Sequence, residues 1–225
     1  MEPLHPLSSI VPLPEFDLWG VPSTQTSFER ISDAEYRPVT TVSSSSPIVF
    51  LFTTAQDEYV KCDEIYLSWN AQFTFQKKGD TVMTDNEATN CFFMGNAFHS
   101  MINQVEIELN SKSISSLPQY YAYRSFFETL LGFSKDARKS YLESSLWSDD
   151  FKTLITTDPD KKKSKIYNMM GRLHSDLGFQ GRYMIGGTKF KIEISLNTPK
   201  FYLKLPKAIE VTLELSDVRL FIQKA

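Results

Sequence analysis

The segment from Ile65 to Phe75 constrains the fold more than any other part of the sequence. Apolar side chains fill one parity, Ile65, Leu67, Trp69, Ala71, Phe73 and Phe75, and the other parity carries Tyr66, Ser68, Asn70, Gln72 and Thr74. Because successive strand residues point to opposite faces, this pattern predicts one long strand with an apolar and a wetter face. At about 3.3 Å per residue the strand spans roughly 36 Å, so it needs a second sheet over it. The segment therefore predicts a two-layer β-sandwich with Trp69 in the interior.

Alternation in the C-terminal third predicts further strands. The apolar positions are Phe190, Ile192, Ile194 and Leu196, then Phe201, Leu203 and Leu205, then Ile209, Val211, Leu213 and Leu215, and finally Val218, Leu220 and Ile222. The last two sets have opposite parity, which predicts a bulge at Ser216–Asp217 that keeps one face inward. Val105–Leu109 also alternates, and the break at Asn110–Ser111 predicts a hairpin with a short partner strand.

The strand predicted for Ile48–Phe52 allows two interpretations. Ile48–Phe52 is apolar on both faces, so it is either buried on both sides or has one face against another subunit.

A helical insertion is predicted after Pro118. Pro118 fits the first turn of a helix, and Gly132 fits its end. Between them Tyr120, Tyr123, Phe126, Phe127 and Leu130 follow helical spacing, and Ser134 can cap a second short helix. The fold class is therefore all-β, a sandwich with a short helical insertion between strands.

The N-terminal 42 residues differ from the rest in composition. Residues 1–40 contain six prolines, which excludes helix and ladder interiors, yet they also carry aromatic side chains. We interpret residues 1–42 as an extended arm and residues 43–225 as the sandwich domain. The arm either packs on its own sandwich or clamps a neighbouring subunit, and its candidate inter-subunit anchors are Phe16, Trp19, Phe28 and Tyr36.

Composition and motifs favour a non-catalytic protein. The chain has 225 residues and a formal net charge of −3, which gives no reason to expect nucleic-acid binding. Its two cysteines are too few for a disulfide framework, and no apolar run reaches the length of a membrane helix. The cluster Lys161–Lys165 follows Asp158 and Asp160 and is interpreted as a solvated loop.

The search for catalytic and ligand-binding motifs gives no site. The three histidines and two cysteines show no metal-ligand spacing, and no nucleophile elbow, phosphate loop or dinucleotide fingerprint occurs. His174, Ser175 and Asp176 have the residue types of a hydrolytic triad, but neighbours on a strand point to opposite faces. We therefore predict no catalytic residue, no cofactor and no metal.

Four segments taken together resemble one family. They are Val21–Ser27 with Glu35–Val39, Asn103–Asn110, Tyr120–Leu131, and Gly171–Leu177 through Arg182–Ile185. In order and spacing the chain resembles the major capsid (hexon) protein of Polinton/Maverick elements and adintoviruses, from about residue 16 to its end. The resemblance implies a jelly roll, the first of two in tandem, and three copies in a pseudo-hexagonal capsomer.

The same resemblance implies partners and a location. The partners are further copies of the chain, as a homotrimer or capsomer, together with penton and minor capsid proteins. The location is the virion, assembled in the nucleus or cytoplasm of the host cell. Two other functions are alternatives. One is a carbohydrate- or ligand-binding jelly-roll module, which loops and aromatic residues could serve, although the aromatics mostly lie on faces that a core uses. The other is a cupin-like enzyme, which requires a metal cluster that the sequence does not show.

Overall fold

The computed structural model describes residues 29–77, 91–115, 118–150, 152–154, 164–179, 181–206 and 209–225. Residues 31–225 form one compact unit. Strands dominate the described residues: β1 Ser32–Tyr36, β2 Ile48–Thr53, β3 Val60–Lys77, β4 Phe92–Met94, β5 Ile102–Leu109, β6 Lys112–Ser113, β7 Lys152–Leu154, β8 Ser164–Arg172, β9 Tyr183–Met184, β10 Lys189–Leu196, β11 Leu203–Lys204 and β12 Ile209–Lys224.

Helical segments are short and lie mostly between β6 and β7. The α-helices are α1 Ala97–Ser100, α2 Tyr121–Gly132, α3 Lys135–Arg138 and α4 Pro199–Tyr202, and the 3₁₀ turns are Pro118–Tyr120, Tyr141–Ser145 and Leu177–Phe179. The helix predicted after Pro118 is confirmed, and it ends at Gly132 as expected. The predicted cap is also confirmed, because Ser134 Oγ accepts a hydrogen bond from the Ala137 backbone N–H at 3.2 Å.

The strands form two principal sheets and one small sheet, all antiparallel where they pair. One principal sheet has the order β1-β12-β3-β8, with β9 beside β3, and the other has the order β2-β10-β5-β6. The small sheet has the order β11-β4-β7. Counted in chain order over the eight strands of the two main orders, the sheets read 1-8-3-6 and 2-7-4-5. This interleaved order is that of an eight-stranded jelly roll, so the predicted fold class is confirmed.

The core lies between the two principal sheets, where β3 contributes its apolar face. Trp69 is fully buried, as predicted, and its ring centroid lies 4.6 Å from that of Phe98. The other residues of the same parity are buried as well: Ile65, Leu67, Ala71, Phe73 and Phe75. The two-residue periodicity therefore gave the inward face of the longest strand correctly.

Two local irregularities also follow the sequence. In β12 the pairing with β3 shifts register between Ser216 and Arg219, and the buried positions change parity across the shift. The predicted bulge is thus confirmed, with Asp217 in the left-handed region at φ 50°. The predicted hairpin joins β5 and β6 through Asn110 and Ser111, whose φ angles of 49° and 66° match a twisted two-residue turn.

The structure differs from the sequence interpretation at the N-terminal side of the sandwich. Residues 32–36, which the composition assigns to the arm of residues 1–42, form strand β1 and pair with β12. The strand was missed because it is only five residues long and carries charged Asp33 and Glu35 on its exposed parity. Pro38 lies two residues beyond the end of β1, and a proline cannot donate to a ladder.

A second difference lies after β10, where the alternation of Phe201, Leu203 and Leu205 predicted a strand. Residues 199–202 instead form the helical turn α4, with Pro199 at its first position, and only Leu203 and Lys204 pair as a strand. Proline is tolerated in the first turn of a helix because the backbone N–H that it lacks has no partner there in any case.

A third difference lies in residues 148–166, which were predicted to form a loop. This segment contains β7 and the start of β8, and Lys161–Lys163 lie outside the described residues.

Candidate interaction surface and the polar cluster beneath it

Helix α2 packs on the sandwich through Tyr121 and three small side chains. Its buried residues are Tyr121, Ala122, Ser125 and Thr129. Alanine, serine and threonine allow close approach of the helix, and Ser125 satisfies its own hydroxyl by donating to the Ala122 carbonyl at 2.9 Å. The bulky aromatic residues of α2 therefore cannot all face inward, and most of them lie elsewhere on the helix.

The opposite face of α2 carries an exposed apolar stripe, formed by Tyr120, Tyr123, Phe127 and Leu131. Their side chains are 59%, 57%, 56% and 82% exposed. The spacing of three or four residues places them in one row along the helix, and Tyr120 begins the row just before α2. Tyr123 also contacts Phe201 of α4 edge to face, with ring centroids 6.0 Å apart.

This exposed row is an exception to the expectation that the aromatic residues mostly lie on faces that a core uses. A helix whose apolar residues face water is unusual, because amphipathic helices normally bury that stripe. Contiguous exposed apolar patches mark interaction sites more often than scattered single residues do. The stripe is therefore the candidate interaction surface of the described residues.

A chain of charged side chains anchors α2 to the sandwich below the stripe. Arg124 Nε lies 2.7 Å from Glu128 Oε1, and Arg124 Nη1 lies 2.7 Å from Asp176 Oδ1. Glu128 Oε2 in turn lies 2.7 Å from Nδ1 of His174, a residue only 6% exposed. Burial alone would raise the pKa of Glu128, but the hydrogen bonds from His174 and Arg124 outweigh it and hold that pKa below its ordinary value.

Tyr121 continues this network into the core. Its hydroxyl accepts a hydrogen bond from the His174 backbone N–H at 3.3 Å and lies 3.0 Å from His99 Nδ1. The two imidazole rings stand nearly perpendicular, with centroids 4.7 Å apart. Burial, helped by the neighbouring His174, lowers the pKa of His99 well below its ordinary range, so His99 is neutral near pH 7. Burial likewise raises the pKa of the Tyr121 hydroxyl.

The sequential trio His174-Ser175-Asp176 does not form a catalytic relay. The His174 imidazole pairs with Glu128, whereas Asp176 pairs with Arg124. Ser175 Oγ accepts a hydrogen bond from the Gly178 backbone N–H at 3.0 Å. Within the described part of the chain, no group of three or more His, Cys, Asp or Glu residues is placed to hold a metal ion. No described helix is long and apolar enough to cross a membrane.

A pocket of about 450 Å³ adjoins the network on the side of the 3₁₀ turn Tyr141–Ser145. Its described lining residues are Tyr66, His99, Phe133, Tyr141, Leu142, Ser144, Ser145, Met170, Gly171, Arg172, His174 and Phe179. Half of these residues have large aromatic or aliphatic side chains. The pocket could not be predicted from the sequence, because its walls come from segments spread between Tyr66 and Phe179.

The four candidate anchors of the arm do not form one described site. Phe16, Trp19 and Phe28 lie outside the described residues. Tyr36 lies in β1, half-buried, and its ring stacks on Phe52 of the opposite sheet with centroids 4.3 Å apart. Tyr36 therefore packs on its own sandwich in the described structure, and the role of the other three stays a prediction.

Comparison with known proteins gives similarity in structure but not in sequence. No family model matches the chain, and no curated protein matches it. The solved structure of the Sputnik virophage is similar over 97% of this chain and 52% of its own, with a TM-score of 0.56 and 9% identity. A model of the PBCV-1 virus capsid is similar over 91% of this chain and 44% of its own, with a TM-score of 0.55 and 9% identity.

PBCV-1 VP54, fitted into a reconstruction of the virophage Sputnik, gives the same result. It is similar over 91% of this chain and 44% of its own length, with a TM-score of 0.54 and 10% identity. The described residues thus have the jelly-roll fold found in these virus structures. The chain spans about half the length of these three proteins.

Proposed function

We propose that this chain is a jelly-roll part of a viral major capsid protein, a structural subunit that self-assembles into the capsomers of an icosahedral shell. The observation that carries the proposal is the interleaved strand order of the two sheets, in a fold that the PBCV-1 capsid and Sputnik virophage structures share over nearly the whole chain. Identity of about 9% transfers the fold and not the activity, so assembly needs support of its own.

The exposed stripe on α2 supports assembly. Aromatic side chains bury about 150–250 Å² each and act as anchors in interfaces. Tyr120, Tyr123 and Phe127 supply three such side chains in one row, and Leu131 extends it. In a shell built from copies of one chain, the surface that covers this row belongs to another copy, and we propose that a homotrimer or larger capsomer covers it.

The finer parts of the proposal follow from the resemblance to Polinton/Maverick and adintovirus capsid proteins. They are a tandem second jelly roll, contacts with penton and minor capsid proteins, location in the virion, and assembly in the nucleus or cytoplasm of the host. A structural role rather than a catalytic one agrees with the separation of His174 and Asp176 onto different ion-pair partners. The arm anchors Phe16, Trp19 and Phe28 are proposed to bind a neighbouring subunit.

Negative-stain electron microscopy and multi-angle light scattering of the purified protein test the proposal. We expect trimers or larger ring- or shell-like particles, and we expect the double variant Phe127→Gln, Leu131→Gln to shift them towards monomers. Glutamine is a good helix former, so α2 should persist. The matched control is Ile185→Gln, which removes an exposed apolar side chain from the segment just after β9 and should leave assembly unchanged. A monomer at every concentration tested would contradict the proposal.

A further inference from the structure

The pocket beside the 3₁₀ turn Tyr141–Ser145 has the size of a small-molecule site. Its volume of about 450 Å³ lies within the roughly 300–1,000 Å³ that such sites occupy. Gly171 lies in the wall between the pocket and the core, and a Cβ there would come within 2.7 Å of Phe98 and 2.9 Å of His99 Nε2. The core side of this wall is therefore packed tightly against Gly171, and the core side chains do not have room to fill the pocket.

Two features of the walls define the chemistry of an occupant. Aromatic rings face the pocket from several elements: Tyr66, Phe133, Tyr141 and Phe179. Leu142 and Met170 add aliphatic surface. Planar apolar walls of this kind favour a flat aromatic body, which gains from ring contacts as well as from burial.

Charge in the same walls is of one sign. No described lining residue is acidic, and the nearest carboxylate of the network, Glu128, already has Arg124 and His174 as partners. Arg172 is the permanent cation of the pocket, and its guanidinium carbon lies 4.8 Å from the Phe179 ring centroid. One of its terminal amino groups donates to the Gly178 carbonyl, whereas its Nε is buried and has no hydrogen-bond partner in the described part of the chain.

We propose that this pocket is a binding site for a small aromatic anion, with its carboxylate or sulfonate group at Arg172 and its rings between Phe179 and Tyr141. No carboxylate of the described residues pairs with Arg172, so an anionic group in the pocket would meet an uncompensated guanidinium and gain a charge-assisted hydrogen bond. An inorganic anion would leave the apolar walls unfilled, and a neutral aromatic molecule would leave the charge of Arg172 uncompensated. The site does not depend on the capsid proposal, because it needs only the folded chain.

Fluorescence titration with anilinonaphthalene sulfonate and calorimetric titration with naphthoate provide the test. We expect one saturable site for each anion, and at least about tenfold weaker binding of naphthylmethanol, which has the rings without the charge. Arg172→Met keeps the aliphatic stem and removes the cation, so it should weaken both anions by about tenfold or more. Its control is Arg37→Met, which removes an exposed arginine paired with Glu35 just after the edge strand β1 and should leave both affinities unchanged.

A second variant keeps the test valid if Arg172→Met fails to fold. Met170→Trp retains the guanidinium but fills the pocket from β8, and it should abolish naphthoate binding while its circular dichroism stays that of the parent. Phe127→Gln changes the exposed apolar stripe on α2, which lies outside the pocket, and should retain the saturable site. The proposal is overturned if naphthoate does not bind the parent protein, if naphthylmethanol binds as tightly as naphthoate, or if Met170→Trp binds naphthoate normally.

Discussion

His174 Nδ1 lies 2.7 Å from Glu128 Oε2, and this contact joins helix α2 to the segment that follows β8. Glu128 also accepts from Arg124 within α2, so one carboxylate connects the helix to itself and to the sandwich. Helix α2 is consequently held by polar contacts, by the buried ring of Tyr121 and by small buried side chains, rather than by burial of the residues in its exposed stripe. Stability of the α2 attachment and exposure of the stripe can therefore be tested separately.

Glu128→Gln should weaken that attachment. The substitution removes the charge that pairs with Arg124 and His174 but keeps the size of the side chain. Charge-assisted hydrogen bonds contribute more than neutral ones, so we expect the free energy of unfolding to fall by about 1–3 kcal/mol in urea titration. Glu143→Gln, on the exposed 3₁₀ turn, is the control and should change it by less than about 0.5 kcal/mol. Equal effects of the two substitutions would argue against the role given to Glu128.

Acid should destabilise the fold through His99. Its pKa in the folded protein is lowered from 6.5, so the unfolded chain binds a proton that the folded chain refuses. Stability from this group is complete above about pH 6.5 and is lost as the pH falls towards the folded-state value. We expect the free energy of unfolding to fall by up to about 1.4 kcal/mol per pH unit below that point. Glu128, with its lowered pKa, adds a loss in the same direction at lower pH, below its ordinary value of 4.5.

His99→Asn separates the two contributions to acid sensitivity. The asparagine oxygen can take the place of Nδ1 towards the Tyr121 hydroxyl, but it does not titrate. The variant should lose the slope between about pH 6.5 and 5 and keep the steeper loss below it. Unfolding free energies measured in urea across this range decide the matter, and an unchanged slope in His99→Asn would assign the effect to another group.

Trp69→Ala tests the central strand. Trp69 is fully buried and packs on Phe98, so truncation leaves a large cavity and should cost about 3–5 kcal/mol. Asn70→Ala, the next residue on the wetter face of β3, is the matched control and should cost less than about 1 kcal/mol. A cost below about 1 kcal/mol for Trp69→Ala in denaturant titration would be incompatible with its position in the core.

The β-sandwich could be predicted because apolar and polar residues alternate with a period of two. This alternation is long and unbroken in Ile65–Phe75. The sequence did not predict which way α2 would face. Periodicity shows that Tyr123 and Phe127 share a face, but Ala122, Ser125 and Thr129 share another, and close packing of small residues decided between them. Residue types alone would have favoured burial of the aromatic face.

The polar cluster and the pocket could not be predicted from sequence periodicity, for a different reason. His99, Glu128 and His174 come from three separate segments, and only the jelly-roll topology brings them together. The sequence did contain one weak signal, since Arg124 and Glu128 are four residues apart in a predicted helix and can form an ion pair on one face.

Truncation of the N-terminus separates the arm from strand β1. Because the compact unit begins at Ile31, deleting residues 1–30 should leave the β-sheet spectrum and the melting temperature close to those of the full chain. Deleting residues 1–42 also removes β1, which uncovers the edge of β12 and abolishes the stacking of Tyr36 on Phe52. We expect the longer deletion to melt many degrees lower or to aggregate, as monitored by circular dichroism.

The shorter deletion then tests whether the arm acts between subunits. If Phe16, Trp19 and Phe28 anchor a neighbouring chain, the protein lacking residues 1–30 should stay folded but lose trimers or particles in light scattering, because the anchors that a partner surface would bury are gone. The triple variant Phe16→Ser, Trp19→Ser, Phe28→Ser in the chain of 225 residues should give the same loss, which excludes an effect of chain length alone. Particles that persist in both proteins would assign assembly to the α2 stripe, and a deletion that unfolds would assign residues 1–30 to the protein's own core.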